Sequence, residues 1–137
     1  MEHTSNYELS KWAESDRILM EDFNMDHDKI DAALAGAGNC KIVTGSYKGT
    51  GGYGSGNRNT LTFDGTPILV VIAGSRGFTA LRGATGTSCL GAEGGEPFAL
   101  YLTWGTNSLS WYANNNAYSQ CNTTNETYHY CALFATA

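Results

Sequence analysis

The residues of this chain that could do chemistry are concentrated in one stretch that is almost without charge. From Trp104 to Tyr130 the sequence holds two Trp, four Tyr, six Asn, three Ser and four Thr residues, and Glu126 is its one charged residue. Tyr and Trp offer rigid contact area, whereas Asn and Ser offer adaptable hydrogen bonds. Sugars use both, because their C–H faces stack on aromatic rings and their hydroxyl groups bond to amides and hydroxyls. The stretch therefore favours a saccharide-binding surface.

Within this stretch, residues 114–118 are typical of a loop between two strands, and their side chains are the first contact candidates. The candidate ligand-binding residues are Trp104, Asn107, Tyr112, Asn114, Asn115, Asn116, Tyr118 and Asn122. The alternative is that the loop residues only form a turn. For these loop residues the sequence leaves both interpretations open, whereas Trp111 and Tyr130 are expected to fill the core as strand residues.

Catalysis would need a nucleophile with a base, or two carboxylates in different environments. Beyond residue 38 the acids are only four, Asp64, Glu93, Glu96 and Glu126, and three of the four lie in glycine-rich or turn-like sequence. We therefore expect no catalytic residue and no enzyme activity. A glycan hydrolase with two acids placed across a cleft remains a less favoured alternative.

Two short motifs could suggest cofactor or metal sites. Gly49–Gly54 matches the phosphate-binding pattern G-x-G-x-x-G, but it leads into another β-like run rather than a helix, which favours a hairpin connection. Asp26, His27 and Asp28 would not converge on one ion if they lie on a helix, so a solvated helix face is expected. We predict no cofactor and no metal site.

The four cysteines, Cys40, Cys89, Cys121 and Cys131, are widely spaced and include no C-x-x-C pair. A zinc site would need closer spacing or nearby histidines. We expect buried or free thiols rather than a disulfide framework, because a domain of this size folds without such links.

Charge divides the chain. Residues 1–31 hold nine acidic and three basic side chains (net −6), and residues 32–137 hold four acidic and five basic ones (net +1). The absence of a basic patch argues against nucleic-acid binding.

The longest apolar run, Ile68–Ala73, is too short to cross a bilayer, so no membrane insertion is expected. The N-terminus has no signal-peptide profile, which predicts synthesis in the host cytoplasm and retention there until a route other than the Sec pathway releases the protein.

Glycine marks the main boundary, since none of the 17 glycines precedes Gly36. Before it, Asp16–Leu34 consists of helix-forming residues, with an apolar stripe that Gly36 and Gly38 would end. The stripe is thin, so such a helix needs a partner, either the domain behind it or copies of itself in a symmetric bundle. We predict an acidic helical attachment or oligomerisation segment over residues 1–38.

Residues 39–137 follow the pattern of an antiparallel β-sandwich or a barrel-like domain, so the fold class is mainly β with a short preceding α-helix. Strands are predicted at 41–48, 59–64, 67–74, 98–104, 108–113 and 127–135. The run Pro67–Ala73 is apolar on both faces and is predicted to be a central strand covered on both sides. The inward side chains are expected to be Leu100, Leu102, Leu109, Trp111, Tyr128, Tyr130, Ala132 and Phe134.

Segments spread over nearly the whole chain follow the pattern of a known family: Asn6-Tyr7, residues 9–12, 16–24 and 29–34, and in the β part 41–47, 52–57, 59–63, 66–67, 110–112 and 128–133. In these segments the chain resembles tail-fibre-like or receptor-binding proteins of phages and prophages of gut Firmicutes. It implies attachment of the N-terminal region to the tail, a C-terminal domain presented to the host, and a homotrimer. Residues 114–126 also resemble targets of diversity-generating retroelements.

The resemblance implies a phage tail fibre or tail-tip adhesin, and the composition of residues 104–130 predicts that it binds a cell-wall or capsular glycan of the bacterial host. Its partners would be the host glycan and other tail proteins, and its location the virion tail. A structural tail component that only packs against other virion proteins is the alternative.

Overall fold

The structure of the chain is a computed structural model, and it describes residues 1–37, 40–91 and 98–135. The chain divides into two compact units, Met1–Asn39 and Cys40–Ala137. No helix among the described residues combines the length and the apolar character needed to cross a bilayer.

The N-terminal unit combines a small hairpin with one helix. Strand β1 (Glu2–His3) pairs antiparallel with β2 (Ser10–Lys11), and α1 spans Met20–Gly36. The helix begins four residues later than predicted, because Asp16 belongs to a turn. Its carboxylate accepts the Ala13 N–H at 2.9 Å, and its own N–H donates to the Ala13 carbonyl at 2.9 Å.

The expectation of a solvated face at residues 26–28 is wrong for Asp26, which is the buried residue of α1. Both of its carboxylate oxygens accept the N–H of Ser10, at 2.9 and 3.1 Å, and the Ser10 hydroxyl donates to one of them at 3.2 Å. Asp26 therefore fastens α1 to β2. A buried carboxylate is stable here because backbone and hydroxyl donors satisfy it.

The C-terminal unit is an antiparallel sheet of eight strands, curled on itself. The strands are β3 (Cys40–Lys48), β4 (Asn59–Thr62), β5 (Pro67–Ala73), β6 (Arg76–Leu81), β7 (Gly86–Gly91), β8 (Phe98–Trp104), β9 (Ser108–Tyr112) and β10 (Thr127–Ala135). Their order across the sheet is β3-β10-β5-β6-β7-β8-β9-β4. The predicted class, a mainly β fold with a short preceding helix, is confirmed.

The six predicted strands are present, with ends within two residues of those expected. The sequence missed β6 and β7. Their inward positions are occupied by Arg76, Phe78, Ala80 and Cys89, so a charged or small residue stands where an apolar alternation would be sought. Glycine at both ends of β7 further weakens its strand pattern.

The core lies inside the curl and is formed largely by the residues predicted to point inward. Of that set, Tyr130 is partly buried against the core and the others are buried. Aromatic rings from distant parts of the chain pack together there. The ring centres of Tyr47 in β3 and Trp111 in β9 are 5.8 Å apart, and those of Phe63 and Phe134 of β10 are 5.6 Å apart. These contacts bring the two ends of the sheet together.

The prediction that Pro67–Ala73 is covered on both faces is wrong. β5 lies inside the sheet between β10 and β6, and Val70 and Ile72 are buried, but Ile68 and Val71 are exposed on the other face. A single curled sheet has its core on one side, so even an internal strand keeps an outer face. Pro67 opens the strand, as expected.

Candidate functional site

The eight candidate contact residues do not converge on one place, because they lie toward opposite ends of β9. Trp104 and Asn107 precede this five-residue strand, whereas Tyr112 ends it and the others follow it. At about 3.3 Å per residue, Asn107 and Asn114 are roughly 20 Å apart. One small ligand cannot contact both groups.

The Trp104 end is used for packing within the protein. The Trp104 indole N–H donates to the Ala84 carbonyl at 3.0 Å, and the Arg82 guanidinium lies 4.9 Å from the ring centre. Arg82 in turn donates to the carbonyls of Pro67 and Gly105. Trp104 therefore helps to close this end of the sheet. Asn107 is exposed, and its backbone carbonyl accepts the Phe63 N–H at 2.8 Å.

The opposite end carries an ordered aromatic surface on the outside of the sheet. Tyr101 of β8 stacks on its cross-strand neighbour Tyr112, with ring centres 4.9 Å apart and planes at 20°. The Arg58 guanidinium lies 4.8 Å from the Tyr112 ring centre and donates to the Thr103 hydroxyl at 2.9 Å. We call this surface, together with Ser110 and Thr60, the β9 face.

Hydroxyl groups continue the β9 face away from the aromatic pair. Thr103 pairs with Ser110, which pairs with Thr60, and the last two hydroxyls lie 2.8 Å apart. The β9 face thus offers rings, hydroxyls and a guanidinium side by side, which are the groups that saccharides use.

A depression of about 270 Å³ adjoins the β9 face and is lined by Phe98, Ala99, Tyr101, Asn114 and Asn115. Tyr101 is 43% exposed, and both asparagines are exposed. Among the described residues, no side-chain hydrogen bond engages the amide of Asn114 or Asn115. Each amide is therefore available to a ligand.

Two other candidates in this region support the loop that carries those amides. The Asn116 side chain accepts the Ser119 N–H at 2.8 Å, which fixes the turn. Tyr118 is 44% exposed, and the Arg76 guanidinium lies 4.6 Å from its ring centre and 5.0 Å from that of Phe98. The Tyr118 ring thus covers a buried guanidinium.

Asn122 is occupied within the protein, since it is 2% exposed and every polar group of its amide has protein partners. Its oxygen accepts from the Thr50 N–H and the Asn59 amide, and its nitrogen donates to the Thr50 hydroxyl and the Gly52 carbonyl. Asn122 therefore holds the 49–59 connection in place and has no free amide to offer a ligand.

Gln120, which the sequence did not single out, makes the second buried amide link. Its oxygen accepts from the N–H groups of Gly54 and Ala113, and its nitrogen donates to the Asn57 carbonyl and the Asn59 side chain, all at 2.7–3.0 Å. The two amides together tie the 113–122 loop to the 49–59 connection. Buried polar groups that are fully satisfied in this way rigidify a loop.

Sequence reasoning also missed Tyr101 and Arg58. Tyr101 could have been found, since it alternates with the inward Leu100 and Leu102 and so must point outward. Arg58 carried no such signal, because its approach to Tyr112 depends on the pairing of β4 with β9.

A second recess, of about 360 Å³, lies between the two edge strands of the sheet, β3 and β4. Its lining includes Lys48, Thr50, Asn57, Arg58 and Thr60, with the buried Trp111 and Asn122 also contributing. We call this recess the seam cleft.

The buried titratable groups with shifted pKa values lie in the interior. Cys89 and Cys121 have sulfur atoms 3.4 Å apart, and all four cysteines are free thiols. The hydrogen bond between the two thiols lowers the pKa of Cys89, which the Arg76 charge lowers further, and raises the pKa of Cys121 together with burial. Neither thiol reaches the surface.

Residues 1–37, 40–91 and 98–135 contain no group of three or more His, Cys, Asp or Glu side chains that could hold a metal ion. Within the same ranges, no acidic side chain lines the depression or the seam cleft. Glu93 and Glu96 lie outside the described residues.

Comparison with protein-family models, with curated proteins and with solved structures finds no match to this chain.

Proposed function

We propose that the C-terminal unit is a glycan-binding module that recognises the bacterial surface, and that the chain is a phage tail-fibre or tail-tip adhesin. The observation that carries the binding proposal is the pairing of the stacked Tyr101 and Tyr112 with the uncommitted amides of Asn114 and Asn115 around one depression. Sugar C–H faces would lie on the Tyr101 ring while the amides bond to ring hydroxyls.

The fixed geometry of this surface supports binding rather than accidental exposure. Arg58 and the Tyr101–Tyr112 stack restrict the aromatic rings, and Gln120 holds the loop that begins with Asn114. A surface that is already ordered loses little conformational entropy when a ligand binds. The lining of both recesses supports binding without catalysis, since the described residues there offer no acid and no nucleophile–base pair.

The tail setting is supported by the sequence resemblance and by the surface of α1. The helix buries Asp26 but leaves large apolar side chains exposed, among them Met20, Phe23, Met25 and Leu34. Such a surface is unfavourable in water and is typical of a contact with another protein. We propose that it contacts either two further copies, as a homotrimer, or a neighbouring tail protein in the virion.

The binding proposal is tested by replacing the two free amides. Asn114→Ala with Asn115→Ala removes about two hydrogen bonds to the ligand, at about 1 kcal/mol each, so we expect about 30-fold weaker binding to host cells or purified wall and capsular glycans. Tyr101→Ala should weaken binding by a comparable factor through the lost stacking contact.

The matched control is Asn107→Ala, an exposed asparagine at the other end of β9, which should bind like the parent protein. The unfolding temperature of the Asn114/Asn115 double variant should stay within a few degrees of the parent, because neither amide is bonded to another of the residues that the structure describes. If the double variant and the parent bind equally well, the depression is not part of the glycan-binding site.

A structural tail component is the second candidate, and a particular surface favours it. The outer face of β5, β6 and β7 exposes Val71, Leu81 and Leu90, and a shallow recess of about 590 Å³ lies there. If no bacterial surface or polysaccharide retains the protein, whereas a tail protein does, this second function replaces the first.

A further inference from the structure

The seam cleft marks the place where the curled sheet does not close. β3 and β4 are the two ends of the strand order, and among the described residues no strand pairing joins them. The connection from Thr50 to Asn57 passes beside the gap, where Asn122 and Gln120 hold it by hydrogen bonds. The cleft is therefore a preformed feature of the fold.

Charge distinguishes the seam cleft from the depression. Lys48 ends β3 and Arg58 precedes β4, so the two cations flank the same connection. Neither forms a salt bridge within the described residues, where the ion pairs involve Met1 with Asp16 and Lys11 with Glu2. The described lining contains no acidic side chain, so the local charge is positive.

Arg58 is held in position although no carboxylate pairs with it. Its Nε donates to the Ser55 carbonyl at 3.2 Å, one terminal nitrogen donates to the Thr103 hydroxyl at 2.9 Å, and the group stacks on Tyr112. The other terminal nitrogen has no hydrogen-bond partner among the described residues. A guanidinium fixed in this way can bond a carboxylate or a phosphate with little loss of entropy.

The remaining lining suits a polyhydroxylated chain rather than a bare ion. Thr50, Asn57 and Thr60 contribute hydroxyl and amide groups, and Leu61 contributes apolar surface. Arg58 also borders the β9 face, so one extended ligand can contact both surfaces.

We propose that the seam cleft binds the anionic group of an acidic saccharide, with Lys48 and Arg58 as its counter-charges, while neutral rings of the same chain contact the β9 face. The anion is a carboxylate or a phosphodiester. This inference rests on the proposed glycan-binding function and specifies its ligand as an acidic glycan.

The first test follows backbone amide NMR shifts of the full chain during titration with glycerol phosphate, glucuronic acid and glucose. We expect the two anions, but not glucose, to shift the amides of Lys48, Thr50 and Asn59. The anion that causes these shifts at the lower concentration shows whether the cleft prefers a phosphate or a carboxylate. No shift at these amides with either anion, or equal shifts with glucose, overturns the proposal.

The second test measures binding to a polyglycerol phosphate, a polyuronate and neutral dextran. Lys48→Gln should weaken binding to the preferred acidic polymer about three-fold, and Lys48→Gln with Arg58→Gln at least ten-fold, while Lys48→Gln leaves dextran binding unchanged. Lys41→Gln is the matched control: it removes the same charge at the other end of β3 and should have no effect. Raising NaCl should abolish the preference for the acidic polymer.

The two tests separate the inference from the function on which it rests. Equal affinity for acidic and neutral polymers, with Lys48→Gln and Lys41→Gln behaving alike, overturns the anion site but leaves glycan binding intact. Shifts with the monomeric anions but no retention by any polymer or cell would leave an anion site and overturn the glycan-binding function.

Discussion

Gln120 provides the most direct test of how the site is held together. Its side chain is fully buried and makes four hydrogen bonds, three of which join the 113–122 loop to the 49–59 connection, while the fourth, from the Ala113 N–H, lies within the loop. Leucine at this position has a similar volume but neither donates nor accepts. The substitution Gln120→Leu therefore removes the bonds without opening a large cavity.

The cost can be worked out from the groups that lose a partner. The Gly54 N–H keeps a second acceptor in the Ala113 carbonyl at 2.9 Å. The Ala113 N–H, the Asn57 carbonyl and the Asn59 side-chain oxygen each lose the bond to Gln120. Leaving the buried Ala113 N–H unsatisfied costs about 2 kcal/mol, and losing each of the two partly buried bonds at Asn57 and Asn59 costs about 1 kcal/mol, so we expect a loss of about 4 kcal/mol in the free energy of unfolding. That is a large share of the roughly 5–15 kcal/mol typical of a domain.

Urea unfolding followed by tryptophan fluorescence measures this loss. With a denaturant dependence of about 1.5 kcal/mol per molar urea, the midpoint of Gln120→Leu should fall by about 2.5–3 M. Asn114→Ala, which removes an exposed amide from the same loop, should move the midpoint by less than about 0.5 M.

Glycan binding by Gln120→Leu should fall as well, even below the unfolding transition, because the Asn114 loop and the seam cleft both depend on this amide. A folded Gln120→Leu protein that loses less than 1 kcal/mol would refute the reasoning. The four hydrogen bonds would then not be what positions the loop.

Two further predictions concern backbone space and pH. Gly49→Ala should lower the free energy of unfolding by at least about 2 kcal/mol, because the added methyl group clashes with the backbone of Thr123. Gly56→Ala is the control and should change stability little, since its added methyl group contacts no other atom. Thermal unfolding of the two variants measures the difference. Burial raises the pKa of Tyr47 above its ordinary value of 10.0, so the unfolded chain loses this proton first and stability falls as pH rises above 10.0. Tyr47 contributes up to about 1.4 kcal/mol per pH unit to this slope. Urea unfolding between pH 9 and 11 should therefore show a smaller slope in Tyr47→Phe, a variant that is also less stable at neutral pH because it lacks the hydrogen bond to the Cys121 carbonyl. An unchanged slope would mean that the Tyr47 phenol ionises normally in the folded protein.

The sequence predicted the strands in which apolar side chains occupy every second position, and it missed the strands that lack this alternation. β8, β9 and β10 present large apolar residues at every second position, and their burial followed the pattern. The sequence did not predict β6, because the first inward side chain of this strand is Arg76, which is buried between the rings of Phe98 and Tyr118. An arginine is acceptable in the core only when such partners surround it, and no local pattern reveals them.

The candidate site was predictable in its composition and not in its grouping. The sequence identified the loop at Asn114–Asn116 and the aromatic Tyr112, which the structure places beside one another. It also included Trp104 and Asn122, whose polar groups are bonded within the protein. An asparagine that forms a buried link and one that is free for a ligand look alike in sequence, because the difference lies in which backbone groups come near.

The amino-acid sequence by itself therefore determined the fold class of this protein, a helical N-terminal segment followed by a glycine-rich β unit. It also determined the nearly uncharged composition of residues 104–130, which are rich in Trp, Tyr and Asn. Those features follow from local spacing and composition. The tertiary structure alone decided that β5 keeps an exposed face, that Tyr101 and Arg58 join Tyr112, and that the sheet leaves a cationic cleft between its edges. Each of these depends on strand order and register, which are set by contacts between residues far apart in the chain.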